Sequence, residues 1–390
     1  MKKAESRQQK AGTARKAEIL PLEVLTAVCF LLSPSTLPPM PRSRLSPSVF
    51  HLPVDRMREG YYSDKYFVRG RETLLADGYA PEVMMQVFGK ARAYLGGMDE
   101  AIAILKLCSD DWDALTVRAL YDGDEVEPWE TVMTIEGPYA SFAHLETLYL
   151  GVLARRTRVG TNTRLVVEAA RPKTVMFFPA RHDHWLVQTG DGYAAHIAGA
   201  IGVSTDAQAS WWGSEGIGTV PHALIAAYDG DTVLATRKFA EFMEPGTKII
   251  TLVDYDNDCV GTSLEVARAL GEGLSGVRLD TSENLVDQSI IPQMGTFRPT
   301  GVNPQLVCNV REALDAEGFS HVQIVVSGGF TVDKIRAFEA AHVPVDSYGV
   351  GSSLFSGQFD FTADIVRLNG HPQSKAGRRE NPNPRLELVR

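Results

Sequence analysis

Cysteine is scarce in this chain. Only Cys29, Cys108, Cys259 and Cys308 occur in 390 residues, and no two form a C-x-x-C. That spacing argues against a disulfide framework or a structural zinc module and fits a reducing cytoplasm. Excess positive charge is also lacking. The formal net charge is -9, so the chain has no basic surplus with which to neutralise a nucleic-acid backbone. Long apolar runs are missing too. The best candidate, ILPLEVLTAVCFLLSPS, is interrupted by Pro21 and Glu23 and is too short to span a bilayer comfortably. Lys2, Lys3, Arg7, Lys10, Arg15 and Lys16 precede it in the manner of a secretory signal, yet no A-x-A site follows. Residues 1–48 are therefore expected to be a disordered extension, and neither nucleic acid nor membrane is an expected partner. No Ser/His/Asp or Cys/His nucleophile pair stands out.

A composition of 44% hydrophobic and 22% charged residues is enough to bury one large or two smaller cores. Residues 81–97, PEVMMQVFGKARAYLGG, space Val83, Met84, Val87, Phe88, Ala91 and Leu95 along one face and predict a helix. Residues 128–139 alternate as a strand and residues 142–159 read as a helix. Mixed without strict alternation, these predict an N-terminal α+β domain over 49–170, joined by the C-terminal segment 366–390. From residue 171 the rhythm changes. Short apolar runs recur at 174–180, 200–205, 217–223, 248–255, 276–280, 322–329 and 345–353, with helical stretches between most of them. In one of those stretches, GTSLEVARALGEG, Thr262 and Glu265 predict a capping box and Gly271 a helix end. Nearly continuous apolar strands alternating with helices mean a parallel sheet buried on both faces. The fold class is α/β, with an irregular (β/α) barrel over 171–365.

In such a barrel the chemistry sits at the carboxyl ends of the strands. Taken in order, those ends offer Phe178 and Arg181, with Lys173 just before the run, then Thr205 and Asp206, then His222. Asp254, Asp256 and Asp258 follow, then Arg278 and Asp280, Ser327-Gly328-Gly329, and Gly349, Gly351, Ser352 and Ser353. Singly, each has an ordinary reading. A histidine in an apolar run is usually a satisfied core group, three aspartates a solvated edge, an R-x-D a surface ion pair, and Gly-Gly a plain turn. Convergence on one mouth changes the balance. Paired glycines before a helix start can aim backbone N–H groups at an anion, and two glycine/serine turns on the last two strands make a barrel phosphate site. Aspartates on neighbouring strands can hold Mg²⁺ or accept from vicinal hydroxyls. Arginines can clamp a second anion or a carboxylate. A phosphate, a diol, a metal and a second anion together describe a phosphorylated sugar bearing pyrophosphate.

The segments RLDTS, VVSGGFT and YGVGSSL, with GYYSDKYF near the start and LETLYLG between, resemble those of the nicotinate phosphoribosyltransferases. These are type II phosphoribosyltransferases, alongside the nicotinamide and quinolinate enzymes. The resemblance covers residues 57–365 with the motifs in family order. It implies an N-terminal α/β domain beside an irregular barrel, and a cytoplasmic homodimer whose two chains share their active sites. It also implies nicotinate, phosphoribosyl pyrophosphate and ATP as small-molecule partners, with Mg²⁺ as cofactor.

The implied roles follow the matched motifs. Tyr66 and Asp64 would reach across a dimer interface to the pyridine, with Phe178 stacking on its other face and Arg181 and Asp206 beside it. His222, Arg278 and Asp280 are the implied catalytic set, with His222 phosphorylated by ATP. Ribose and phosphate would lie against Asp254, Ser327, Gly328, Gly329, Gly351, Ser352, Ser353 and Lys173, and the metal against Asp280 and Asp256. GTVPHAL and FFPARHDHW depart from the family pattern around His222 and Arg181. Asp206 favours a nicotinamide enzyme unless it pairs with a basic group, which is the pairing expected here. RPKT at 171–174 points weakly to quinolinate. A sugar-phosphate aldolase or isomerase barrel would need a lysine or carboxylate base at a strand end, and no lysine is so placed.

Overall fold

A computed structural model describes residues 42–389. The extension expected over 1–48 lies, for residues 1–41, outside the described residues. Its last part is not an extension. Arg44 donates to Asp99 at 3.0 Å and to the carbonyls of Ala119 and Leu120, the Leu45 N–H donates to Asp99, and Phe50 meets Trp211 edge-on.

In chain order the strands are β1 (Glu82–Gly89), β2 (Ala93–Tyr94), β3 (Thr116–Ala119), β4 (Glu125–Val126) and β5 (Thr131–Pro138). Six short ones follow: β6 (Thr174–Phe177), β7 (Gly202–Val203), β8 (Ile250–Leu252), β9 (Gly276–Leu279), β10 (Gln323–Val326) and β11 (Ser347–Val350). The last three are β12 (Phe361–Leu368), β13 (His371–Pro372) and β14 (Glu387–Leu388).

The first sheet is antiparallel, in the order β13-β12-β1-β5-β3-β14. The strand expected within 128–139 is β5, and the helix expected over 142–159 runs Glu146–Ala170. The helix expected over 81–97 is instead β1 and β2. A strand covered on both faces loses its alternation, and β1 is buried almost throughout between β5 and β12. The same spacing of apolar residues then fits either element, and only the distant partner β12 decides. Strand β12 also straddles the boundary expected between residues 365 and 366.

The second sheet is parallel, in the order β7-β6-β11-β10-β9-β8. Six of the seven apolar runs are its strands. The seventh, 217–223, is not a strand. Its Ile217 N–H donates to Val203 O at 2.7 Å, and its Val220 N–H to Ile250 O at 2.9 Å. An extended segment thus bridges the two edges of a curled half-barrel sheet, the irregular form of the expected barrel. Each sheet has its own apolar core, one around Val277, Leu279, Ile324, Val326 and Tyr348, the other around Leu95, Met98, Met133, Ile135 and Tyr149. Helix Cys259–Leu270 begins earlier than the expected capping box. Asp258, not Thr262, caps it by accepting from Gly261 N–H, while Gly271 closes the other end as expected. No helix among the described residues is long and apolar enough to cross a membrane.

Between the two sheets runs helix Glu146–Ala170, and from it Arg156 reaches both sides. Its Nε donates to Glu100 of helix Met98–Cys108 at 3.0 Å, and its Nη1 to Asp191 of helix Gln188–Ile197 at 2.7 Å. Arg155 holds the same Asp191 at 3.0 and 2.7 Å. The guanidinium of Arg156 passes so close to Gly190 that a Cβ there would overlap it. Gly190→Ala should therefore push Arg156 off its carboxylates, at a cost of about 3–5 kcal/mol for breaking a buried pair. Gly70→Ala, where nothing lies within 4 Å of the new methyl, should be neutral or mildly stabilising. Urea midpoints of the two variants test the contrast.

Candidate active site

Strand register builds the site. Val326 of β10 pairs with Leu279 of β9, and the Ser327 N–H donates to Leu279 O at 2.9 Å, which carries Ser327 alongside Asp280. Leu252 of β8 pairs with Arg278, so Asp254 follows on the neighbouring strand. Phe177 pairs with both Val350 and Val203, which places Phe178 beside Gly351 and next to the 204–206 loop.

Arg278 is the centre of this mouth. Its Nε donates to Ser327 Oγ at 2.8 Å and its Nη1 to Thr219 Oγ1 at 3.3 Å, while Nη2 lies 3.4 Å from Asp280 Oδ2. Ser327 Oγ donates onward to Asp280 Oδ1 at 2.6 Å. The guanidinium stands 5.3 Å from the centroid of the Phe178 ring. His222 opens helix His222–Ala227 and donates from Nε2 to Asp254 Oδ1 at 2.9 Å. That hydrogen bond raises the His222 pKa above its ordinary 6.5; burial opposes it, Asp280 adds to it, and Arg278 works against it. Phe178, His222, Asp254, Arg278, Asp280 and Ser327 are thus brought together.

Gly328 and Gly329 both adopt positive φ, +82° and +65°. Among the described residues no acceptor takes either N–H. A Cβ on Gly328 would come within 3.3 Å of Asp280 Oδ1, and one on Gly329 would overlap the Glu283 carboxylate. The second turn is tied to the first, because Ser353 Oγ donates to Phe330 O at 2.8 Å. Gly351 precedes the 3-10 turn Ser352–Phe355, and the His182 ring lies against it. Arg181 is exposed and has no partner among the described residues.

Other expected residues lie elsewhere. Lys173 precedes the amino end of β6, opposite the mouth, and is spent on Val343 O (2.7 Å) and Glu339 (2.9 Å); it is removed from the phosphate set. RPKT sits at the same end, so its hint of quinolinate goes with it. Asp206 accepts from the Gly216 N–H at 2.8 Å, so its partner is a backbone amide and not the expected basic group. Asp256 is exposed in its loop. Asp64 accepts from Thr147 Oγ1 at 2.9 Å, and the Tyr66 ring is two-thirds exposed on helix Lys65–Asp77. Among the described residues no hydrogen bond, ion pair or ring contact joins either to the mouth.

Two contributors escaped the sequence reading. Thr219 lies in the segment GTVPHAL, of which only His222 was singled out. Lys334 sits in the first turn of helix Val332–Ala340, capped by Thr331, and donates to Gly328 O at 3.3 Å; burial lowers its pKa while Glu283 opposes that. A lysine five residues past Gly329, pointing back under the turn, was the available signal.

This chain is similar to the nicotinate-nucleotide pyrophosphorylase of Pyrococcus furiosus, 31% identical, covering 90% of this chain and 86% of that one with a TM-score of 0.73. The chain belongs to the type II phosphoribosyltransferase family. Residues 67–157 of this family member match the model for the quinolinate phosphoribosyl transferase N-terminal domain. The nicotinate phosphoribosyltransferase pncB1 of Mycobacterium tuberculosis is 31% identical over 281 residues, which are 69% of this chain. The match spans 57% of the length of that curated relative. The human nicotinic acid phosphoribosyltransferase shares the fold, with a TM-score of 0.62 at 16% identity over 82% of this chain and 77% of that one.

The ion pair makes its own prediction. A raised histidine pKa means that the His222–Asp254 contribution to stability is complete below pH 6.5 and is lost as pH rises through the raised value. Asp254→Asn should bring the His222 imidazole back to or below 6.5 in an NMR titration. An unchanged midpoint would place the cause elsewhere.

Proposed function

We propose that the chain is a nicotinate phosphoribosyltransferase of NAD salvage, forming nicotinate mononucleotide and pyrophosphate from nicotinate and phosphoribosyl pyrophosphate. One observation carries the reading: the Arg278 guanidinium lies over an aromatic ring, beside two glycines in the turn after the neighbouring strand whose N–H groups have no acceptor among the described residues. Phe178 offers the pyridine a stacking face, and Arg278 with Arg181 offers its carboxylate positive charge. Asp254 and Asp280 accept from the ribose hydroxyls. Gly328 and Gly329 hold the 5′-phosphate, with the Gly351-Ser352-Ser353 turn beside them. The pyridine nitrogen attacks the anomeric carbon as the bond to pyrophosphate breaks, so the protein needs no covalent nucleophile. Holding the reactants in line and stabilising charge on ribose and pyrophosphate supply the rate.

Among the described residues no three His, Cys, Asp or Glu side chains gather to hold a metal by protein ligands alone. Of the two expected metal carboxylates only Asp280 lies in the mouth, and it would hold Mg²⁺ that takes its other ligands from water and substrate phosphates; Asp256 is exposed in its loop. When bound, Mg²⁺ neutralises charge on the leaving pyrophosphate. Asp254 holds one ring nitrogen of His222, and Nδ1, without a partner among the described residues, is left to attack the γ-phosphorus of ATP as the bond to the β-phosphate oxygen breaks and ADP leaves. Only the neutral ring can do so, so ATP stimulation should increase as pH rises through the raised pKa.

A quinolinate enzyme is the second reading, favoured by the family model that matches residues 67–157. Quinolinate carries two carboxylates and releases one as CO₂. The purified protein, with phosphoribosyl pyrophosphate and Mg²⁺, should release pyrophosphate with nicotinate and faster with ATP. Turnover confined to quinolinate, with CO₂ evolved, would move the assignment there, and preference for nicotinamide would overturn it as well. Asp206→Asn should leave nicotinate preferred, because Asp206 is committed to Gly216.

A cytoplasmic homodimer with shared sites belongs to the same proposal, supported by the exposed Tyr66 ring. Tyr66→Ala and Asp280→Ala should each be nearly inactive and should regain activity when mixed under subunit exchange. Verified mixed dimers that stay inactive would mean that each chain builds its own site.

A further inference from the structure

We propose that Ser327 is a positioning residue that keeps Arg278 and Asp280 from neutralising each other, an inference that rests on the transferase reading of this mouth. Arg278 and Asp280 are two residues apart on and just beyond β9, so they share a face of the strand. Opposite charges so placed tend to close into a short bidentate pair at about 2.7–2.9 Å. Here the closest approach is 3.4 Å. Ser327 Oγ lies between them, accepting from Arg278 Nε at 2.8 Å and donating to Asp280 Oδ1 at 2.6 Å. A hydroxyl has one donor and two acceptor lone pairs, which is what serving both neighbours requires.

The position of that hydroxyl is fixed. Ser327 is 3% exposed, and its backbone N–H continues the β9–β10 ladder by donating to Leu279 O at 2.9 Å. On the guanidinium's other edge Thr219 offers a second hydroxyl at 3.3 Å. Both partners are neutral, so they hold the plane of Arg278 over the Phe178 ring without discharging it. The cation stays available for a substrate carboxylate, and Asp280 stays available for the ribose hydroxyls. Ser327 was expected to hold phosphate. Its hydroxyl is committed, so phosphate binding falls to the backbone N–H groups that follow.

The test compares wild type with Ser327→Ala. In a crystal structure of the variant, Arg278 Nη2 and Asp280 Oδ2 should close from 3.4 Å to the bidentate range of about 2.7–2.9 Å. KM for nicotinate and KM for phosphoribosyl pyrophosphate should both rise about tenfold, as charge-assisted hydrogen bonds to each substrate weaken, with a smaller fall in kcat. In an Arg278→Lys background, which lacks Nε, Ser327→Ala should add less than about a twofold further loss, because a residue acting through another is not additive with it.

A folded Ser327→Ala protein with wild-type KM values and an unclosed pair overturns the proposal, and so does full additivity with Arg278→Lys. Should Ser327→Ala fail to fold, Thr219→Val removes the other hydroxyl at similar volume. It should raise KM for nicotinate and leave KM for phosphoribosyl pyrophosphate unchanged; no change in either counts against the clamp. A wild type that turns over no pyridine acid would sink the transferase reading, while the Arg278–Asp280 distance in the variant would still decide the role of Ser327.

Discussion

A guanidinium taken out of water cannot shed its charge and must find partners for it, and Arg156 finds carboxylates by binding three helices together. Glu100 comes from the antiparallel domain, Asp191 from the first helix after β6, and Arg156 itself from the long helix between them. The requirement extends to the mouth. Arg156 Nη1 also donates to Val187 O, and Arg155 holds Asp183 and Asp191 together, which lowers the Asp183 pKa through the hydrogen bond from Arg155. Residues 178–187 form the loop that carries Phe178 and Arg181, so the buried ion network also positions the residues offered to the pyridine. Breaking such a pair leaves a charge stranded in the interior, which makes the arrangement cooperative.

The mouth is arranged on the opposite electrostatic principle. Arg156 is paired with acids at hydrogen-bond distance, whereas Arg278 makes its one short contact with the Ser327 hydroxyl at 2.8 Å and stands 3.4 Å from its acid. One arginine is neutralised in order to fix a framework and the other is left charged for an anion. Their surroundings account for the difference, since both sit on regular secondary structure and both are mostly withdrawn from solvent.

Much of this was legible in the sequence because parallel strands advertise themselves. Short apolar runs followed by polar or glycine residues located six strands and their ends, and with them Asp254, Arg278, Asp280 and the paired glycines, while His222 came from the one run that is not a strand. What failed depended on information that is not local. Strand β1 reads as a helix until β12 covers it, since double burial erases the period of two. Lys173 looked like a strand-end residue because it adjoins a run, but it adjoins the wrong end. The helix at 259 starts on Asp258 because a capping aspartate one turn upstream satisfies the free N–H groups before Thr262 can. Thr219 could not be found at all, since its role exists only once the bridging segment lies opposite β9.

Strand β12 has a consequence in time. Val83 pairs with Leu368, and the whole parallel sheet lies between them in the chain. While the protein is being synthesised, β1 emerges from the ribosome long before its neighbour and must wait with one edge open, while β5 can cover the other. The parallel sheet, whose last strand β11 pairs with its first strand β6 and emerges before β12, can assemble meanwhile. An uncovered apolar strand edge invites pairing with other chains. The nascent chain is therefore most exposed to aggregation in the interval that ends when residue 368 clears the ribosome, and a pause or truncation before that point would leave the second sheet able to form and the first unable to close.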